Sequence, residues 1–138
     1  MADTPYQLVL LKIPVTAIPP AVAFYRDVLG FALEFVAEEY GWAQMTAGPL
    51  AVGLYVPGEG GGDRPVGGSV DFHLALPPDA FDALAAKLAE RGRLIGDKTQ
   101  DGDDGTRFAE AVDPDGNTIK LFREMADEDD AADPTPSA

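Results

Sequence analysis

The order of predicted secondary-structure elements occurs twice along this chain, and this repetition constrains the fold more than any other feature. Each half opens with an apolar, strand-forming segment and continues with a helix that ends at a glycine. Three more strand-like segments then follow. Gly30 and Gly92 end the two helices, and Leu10 and His73 lie at matching places in the two first strands, with nearly the same spacing. Such self-similarity indicates two copies of one supersecondary unit.

Periodicity and turn residues predict eight strands and two helices. The helices are expected over 19–30 and 77–92, where apolar residues recur at helical spacing. The expected strands are 7–13, 31–38, 42–47, 50–56, 69–76, 93–100, 106–112 and 117–122. These elements predict an α+β fold in one domain over residues 1–124. It consists of two βαβββ modules, at about 7–56 and 69–124, whose curved sheets enclose a cavity.

Two segments lie outside this pattern. "PGEGGGDRPVGG" (57–68) is rich in glycine and proline but lacks the G-x-x-x-x-G-K-[ST] spacing of a phosphate-binding loop. We interpret it as a flexible connection between the modules. Residues 125–138, "MADEDDAADPTPSA", contain five acidic residues and no basic one. This composition cannot bury much apolar surface, so the segment is predicted to be disordered.

Charge and composition restrict the classes of partner. The net charge of -14 would repel nucleic acid and anionic membranes, and it would attract a cationic ligand. The acidity can equally serve solubility alone. The chain has no cysteine, which excludes disulfides and thiolate metal sites. No signal peptide and no membrane-spanning run is recognisable, so a cytoplasmic location is expected by default.

Two motifs give the pattern a family resemblance. "AFYRDVLGF" (23–31) and "DPDGNTIKL" (113–121) resemble the hallmarks of the vicinal oxygen chelate superfamily, the glyoxalase, bleomycin resistance and extradiol dioxygenase group. The paired βαβββ order also matches, and the resemblance covers residues 7–124. It implies a small-molecule site built by the two modules. It also implies that dimerisation often completes the site, so a homodimer is expected.

The resemblance places metal ligands on the first strand of each module and on the last strand. The matching residues here are Leu10, His73 and Lys120. Leucine offers no lone pair, and a lysine ammonium would repel a divalent cation. Asp71 and Glu110 could supply oxygen ligands but do not stand at matching positions. We therefore expect no metal and no other cofactor.

Without a metal, polar and aromatic side chains become the candidates for ligand contacts. The predicted ligand-binding residues are His73, Lys120, Leu10, Lys12, Phe122, Glu110 and Trp42. His73 either forms structural hydrogen bonds in the cavity wall or contacts a ligand, where it could serve as a general base. Lys120 requires a carboxylate partner, for which Glu110 is a candidate, or an anionic group on a ligand.

Three functions remain open at this point. The first is a metal-free, small-molecule-binding member of the superfamily. The second is a lyase-like or isomerase-like enzyme that uses His73 and Lys120 without a metal. The third is a degenerate member whose surface binds another protein. The lysines favour an anionic or carbonyl ligand, whereas the overall acidity favours a cationic one.

Overall fold

The computed structural model describes residues 5, 7–67, 71–102 and 106–124. The predicted disordered segment 125–138 lies outside these ranges. The chain divides into two compact units. The described residues up to 67 belong to the first unit, together with Pro114–Asn117, and the remaining described residues belong to the second. Within the described ranges, no helix is long and apolar enough to cross a membrane.

The described residues of the first unit form an α-helix with a π-helical continuation, a 3-10 turn at Glu38–Tyr40 and a four-stranded mixed sheet. Its elements are β1 (Leu10–Pro14), α1 (Ile18–Val22, continued by a π-helix over Ala23–Val28), β2 (Ala32–Ala37), β3 (Trp42–Ala47) and β4 (Leu50–Tyr55). The strand order is β1-β4-β3-β2, with β1 parallel to β4 and the other neighbours antiparallel. The helix packs on β3 and β4. This unit therefore has the predicted βαβββ order.

The helix of the first unit follows from its proline, apolar and glycine positions. Pro19 and Pro20 occupy the first turn, where missing backbone donors cost nothing. Phe24 and Tyr25 on the predicted apolar face are buried. The chain leaves the helix at Gly30, whose φ of 89° is unfavourable for other residues. The predicted helix is confirmed, but its second half has the wider π-helical turns.

The second unit repeats this arrangement. Its elements are β5 (Asp71–Leu76), α2 (Pro78–Glu90), β6 (Gln100–Asp101), β7 (Arg107–Val112) and β8 (Thr118–Arg123). The strand order is β5-β8-β7-β6, with β5 parallel to β8. The helix packs on β5 and β8, and its buried residues are Phe81, Leu84, Ala85 and Leu88. The α+β fold of two βαβββ modules is therefore confirmed.

The strand predicted over 93–100 is wrong. A 3-10 turn occupies Ile95–Asp97, and β6 is only two residues long. Gly96 has a φ of 78°, a left-handed conformation that interrupts a strand. The short β6 is joined to β7 by an ion pair between Asp101 and Arg107, with Nε and Oδ1 2.9 Å apart. The hydrogen bond to Asp101, with its charge, raises the pKa of Arg107.

The first strand is shorter than predicted, because β1 begins at Leu10 rather than at residue 7. Leu8 and Val9 are 76% and 66% exposed, so they do not share the burial of Ile13. Parallel pairing with β4 starts at Leu10 opposite Ala51. Residues 7–9 are therefore not part of the sheet, and the hydrophobicity of Leu8 and Val9 led to too long a predicted strand.

The turn Pro114–Asn117 belongs to the first unit by its contacts. Asn117 is fully buried, and its side-chain amide donates to the Pro14 carbonyl oxygen at 3.3 Å. The carboxylate of Asp115 accepts from the Thr16 amide at 3.1 Å. Gly116 has a φ of 90°, as expected for this tight turn. The "DPDGN" motif thus has structural contacts that need no role in chemistry.

Candidate functional site

Each sheet has one face that packs on its helix and an opposite face that does not. We call the second the helix-free face. On β8, Lys120 lies between the fully buried Ile119 and Leu121 and alternates with them. Its side chain therefore projects from the helix-free face of the second unit. By the same alternation, Lys120 shares this face with Thr118 and Phe122.

Lys120 is the central member of a row of three polar residues. It is the register partner of His73 on β5 and of Glu110 on β7. Register partners on adjacent strands are about 5 Å apart, so their side chains emerge side by side. His73 is exposed, whereas Lys120 and Glu110 are partly buried. A histidine, an ammonium and a carboxylate therefore line one strip of the helix-free face.

Two aromatic rings accompany this row. The Lys120 ammonium lies 5.0 Å from the ring centroid of Phe108 and 5.8 Å from that of Phe122. Both distances suit a cation–π interaction. The Phe122 ring also contacts His73, with centroids 5.2 Å apart, and Phe108, with centroids 6.1 Å apart. The ammonium therefore sits against apolar, electron-rich surfaces that supply no hydrogen-bond acceptor lone pair.

Glu110 does not neutralise Lys120 directly. Although the two residues are register partners, no ion pair or hydrogen bond joins their side chains in the described part of the chain. Nor does any other described residue accept a hydrogen bond from the Lys120 ammonium. An ammonium has three donors and no acceptor. This one therefore remains able to bind an oxygen from outside the described chain.

On the helix-free face of the first unit, the lysine does have a hydrogen-bond acceptor within the protein. Lys12 pairs in register with Gly53 on β4, which pairs in turn with Gln44 on β3. The Lys12 ammonium donates to the carbonyl oxygen of Gly61 at 2.6 Å and lies 5.3 Å from the Tyr55 ring centroid. The glycine-rich segment thus supplies Lys12 with an acceptor from the protein itself.

Trp42 lines a cavity of about 410 Å³ in the first unit. The other lining residues are Phe35, Ala37, Tyr40, Glu59, Gly60 and Gly61. Its indole NH points to the side-chain oxygen of Gln44 at 3.4 Å. Its ring lies so close to Gly53 and Gly61 that a Cβ at either glycine would collide with it. These contacts hold the indole in one position.

The structure groups the predicted ligand-binding residues into two sets. His73, Lys120, Glu110 and Phe122 come together in the second unit. Leu10, Lys12 and Trp42 lie in the first unit, with Leu10 partly buried on β1. Phe108 and Glu59 were not among the predicted site residues. Alternation from Glu110 could have identified Phe108, but no sequence pattern singles out Glu59.

Comparisons with known proteins agree with this architecture. The model of the glyoxalase/bleomycin resistance protein/dioxygenase superfamily matches residues 7–121. The chain belongs to this superfamily. No curated protein sequence matches it significantly.

Solved members of the superfamily and related structures share the fold. A lactoylglutathione lyase from Agrobacterium tumefaciens has a TM-score of 0.69 at 15% identity, covering 87% of this chain and 95% of that one. A superfamily member from Sphaerobacter thermophilus gives 0.66 at 24% identity, over 86% and 98%. TioX from Micromonospora sp. gives 0.68 at 19% identity, over 87% and 100%. At these identities the similarity shows the fold alone.

The residues at the superfamily's metal positions do not fit a metal ion. Leu10 presents a hydrocarbon side chain, and Lys120 presents a cation beside the remaining donor, His73. Among the described residues, no three histidine or acidic side chains are grouped to share an ion. A divalent ion near His73 would face the ammonium of the neighbouring strand. We therefore derive no chemistry through a metal at this position.

Proposed function

We propose that this protein is a metal-free, small-molecule-binding member of its superfamily, and that its ligand presents an anionic or carbonyl oxygen to Lys120. The observation that carries the proposal is the environment of the Lys120 ammonium. It lies over the rings of Phe108 and Phe122, and no acceptor among the described residues contacts it. An oxygen of a ligand can therefore complete its hydrogen bonding.

The neighbouring side chains favour a ligand with both a polar and a flat apolar part. A carboxylate or carbonyl oxygen would accept a charge-assisted hydrogen bond from Lys120, which is stronger than a neutral one. His73, the register partner of Lys120, can donate to or accept from the same group. The rings of Phe108 and Phe122 offer apolar contact to the rest of the molecule.

Glu110 adds selectivity to this arrangement. Because it lies beside Lys120 in register, a ligand carboxylate must approach from the His73 side to avoid it. A dianionic group would meet more repulsion from Glu110 than a monoanionic group would. The geometry therefore favours a compact, singly charged or carbonyl-containing end on an otherwise apolar ligand.

Benzoate and benzylammonium provide matched probes of opposite charge on the same ring. We expect benzoate to shift the amide NMR signals of β5, β7 and β8, and benzylammonium to leave them unchanged. Lys120→Met should weaken benzoate binding about tenfold or more, because a charge-assisted hydrogen bond is lost. Lys98→Met removes the same charge from an exposed residue elsewhere in the second unit and should leave the affinity unchanged.

Either of two results would overturn the binding proposal. One is equal affinity for the two probes on this face, and the other is an unchanged benzoate affinity in Lys120→Met. The metal-free part has its own test, elemental analysis of the purified protein. A stoichiometric transition metal that is lost in a His73→Ala variant would contradict it.

A further inference from the structure

We infer that the cavity of the first unit is a binding site for an organic ammonium cation, such as a quaternary ammonium group. The cavity has a volume of about 410 Å³, which suits a small ligand. Three aromatic residues line it, Phe35, Tyr40 and Trp42, together with the acidic residue Glu59. This site is separate in composition from the row around Lys120 and does not depend on the function proposed for that row.

The lining has the chemistry that recognises an organic cation. Aromatic faces carry negative quadrupole potential and attract a cation within about 6 Å of the ring centre. Glu59 is the charged side chain in the lining, and its sign is complementary to the same ligand. An anion would be repelled by both features. A neutral apolar ligand would gain contact with the rings but would offer no positive charge to the Glu59 carboxylate.

Glu59, a lining residue of the cavity, packs closely against Gly41. Gly41 is buried with a φ of 60°, and a Cβ there would lie 3.0 Å from the Cβ of Glu59. The absence of a side chain at Gly41 therefore lets Glu59 pack closely. The Glu59 amide donates to the Val56 carbonyl at 3.3 Å, which fixes the turn. In the described part of the chain, no ion pair or hydrogen bond engages the Glu59 carboxylate.

Trp42 supplies a wall that is already in place before any ligand binds. Its ring is confined between Gly53 and Gly61, and its NH is directed to Gln44 at 3.4 Å. The loop that carries Gly61 is itself held by the hydrogen bond from Lys12. A preformed aromatic wall lowers the entropy that binding must overcome. Lys12 is not among the cavity-lining residues, and its ammonium is engaged by the Gly61 carbonyl oxygen.

The overall acidity is consistent with this ligand class. A net charge of -14 raises the local concentration of cations around the protein. Within the chain, the local charge at Lys120 and the global charge thus favour different ligands. The two preferences cease to conflict if each belongs to its own unit: the anionic or carbonyl group to Lys120, and the organic cation to Glu59 and the three rings.

Choline and its neutral carbon analogue, 3,3-dimethylbutan-1-ol, differ in the charge of the central atom and test the proposal directly. Trp42 is the chain's single tryptophan, so tryptophan fluorescence reports from the cavity wall itself. We expect choline to change this fluorescence with saturation. The carbon analogue should bind about tenfold more weakly or worse, because it lacks the cation–π and carboxylate attraction.

Variants of two acidic residues test whether the charge of Glu59 contributes to choline binding. Glu59→Gln keeps the shape and removes the charge, and it should weaken choline binding about fivefold to tenfold. Glu39→Gln is the matched control, since Glu39 is an exposed acid nearby that does not line the cavity. Lys120→Met should leave choline binding unchanged, which separates this result from the test of the proposed function.

Three outcomes would overturn the inference. The first is equal affinity for choline and its carbon analogue. The second is an equal effect of Glu59→Gln and Glu39→Gln on choline binding. The third is choline binding that weakens as the protein concentration rises. That result would mean that a second copy of the chain covers Phe35 and Tyr40, which are 49% and 64% exposed.

Discussion

The helix-free face of each sheet carries one lysine, on the first strand of the first unit and on the last strand of the second unit, and the two ammonium groups have opposite surroundings. In the first unit, the Lys12 ammonium donates to Gly61 at 2.6 Å. In the second, the Lys120 ammonium has the rings of Phe108 and Phe122 beside it and no acceptor among the described residues. The duplication repeated the backbone and its hydrogen-bond register. The side chains and loops around each face differ, and they determine whether the lysine ammonium has an acceptor within the described chain.

The middle residue of each row shows how far the two faces have diverged. In the first unit the row is Lys12, Gly53 and Gln44, and in the second it is His73, Lys120 and Glu110. Where the second unit presents an ammonium, the first has no side chain, and the Trp42 ring fills the space above Gly53. The Trp42 indole covers one row, whereas in the other no described residue accepts a hydrogen bond from the Lys120 ammonium.

The largest expected effect on stability comes from displacing the Trp42 ring from Gly53. In Gly53→Ala, the new Cβ would lie 2.5 Å from Cζ2 of Trp42, so the ring or the strand must move. We expect the free energy of unfolding to fall by about 1–3 kcal/mol, as in other overpacked sites. Denaturant titration measures this loss, and the Trp42 fluorescence should shift toward that of an exposed indole.

The double variant with Trp42→Leu identifies the cause. Without the ring, the cost of Gly53→Ala should vanish or become a gain of up to about 1 kcal/mol, because alanine restricts the unfolded chain. An undiminished cost in the Trp42→Leu background would show that the collision with the indole is not responsible. In that case the Trp42 ring would not be what covers the first row at Gly53, and the contrast with the second row would be wrong.

The next effect tests the lysine that has a protein partner. Lys12→Met removes the hydrogen bond to Gly61, and we expect a loss of about 0.5–1.5 kcal/mol in unfolding free energy. The segment should also open more often, so the Gly58 amide, which donates to Gly62 at 2.9 Å, should exchange faster with deuterium. Lys98→Met is the control for the charge change. Equal exchange in both variants would contradict the prediction.

The sequence predicts much of the fold because the fold depends on local patterns. Helical spacing, strand alternation and the glycines at positions 30, 92 and 116 each specify backbone geometry within a few residues. The direction of Lys120 followed from alternation with Ile119 and Leu121. The prediction of a strand over 93–100 was wrong because Gly96 adopts a left-handed conformation. The neighbouring residues in the sequence do not indicate this conformation.

The cavity of the first unit could not be predicted in the same way. Residues 57–68 were interpreted as a flexible connection, yet Gly61 packs on Trp42 and accepts the Lys12 hydrogen bond. Glycines impose no pattern of their own, and the acceptor is a backbone carbonyl that every residue possesses. Contacts of this kind depend on how distant segments approach each other. They therefore leave no signature in composition or spacing.

The smallest expected effect tests Lys120, the lysine whose ammonium has no hydrogen-bond acceptor among the described residues. Lys120→Met loses two cation–π contacts, at 5.0 and 5.8 Å, but methionine can pack its sulfur against the same rings. These effects offset each other, so the unfolding free energy without ligand should change by no more than about 0.5 kcal/mol. Denaturant titration beside Lys12→Met measures the difference. A loss as large as that of Lys12→Met would mean that Lys120 already has an acceptor within the protein. The argument that a ligand supplies this acceptor would then fail.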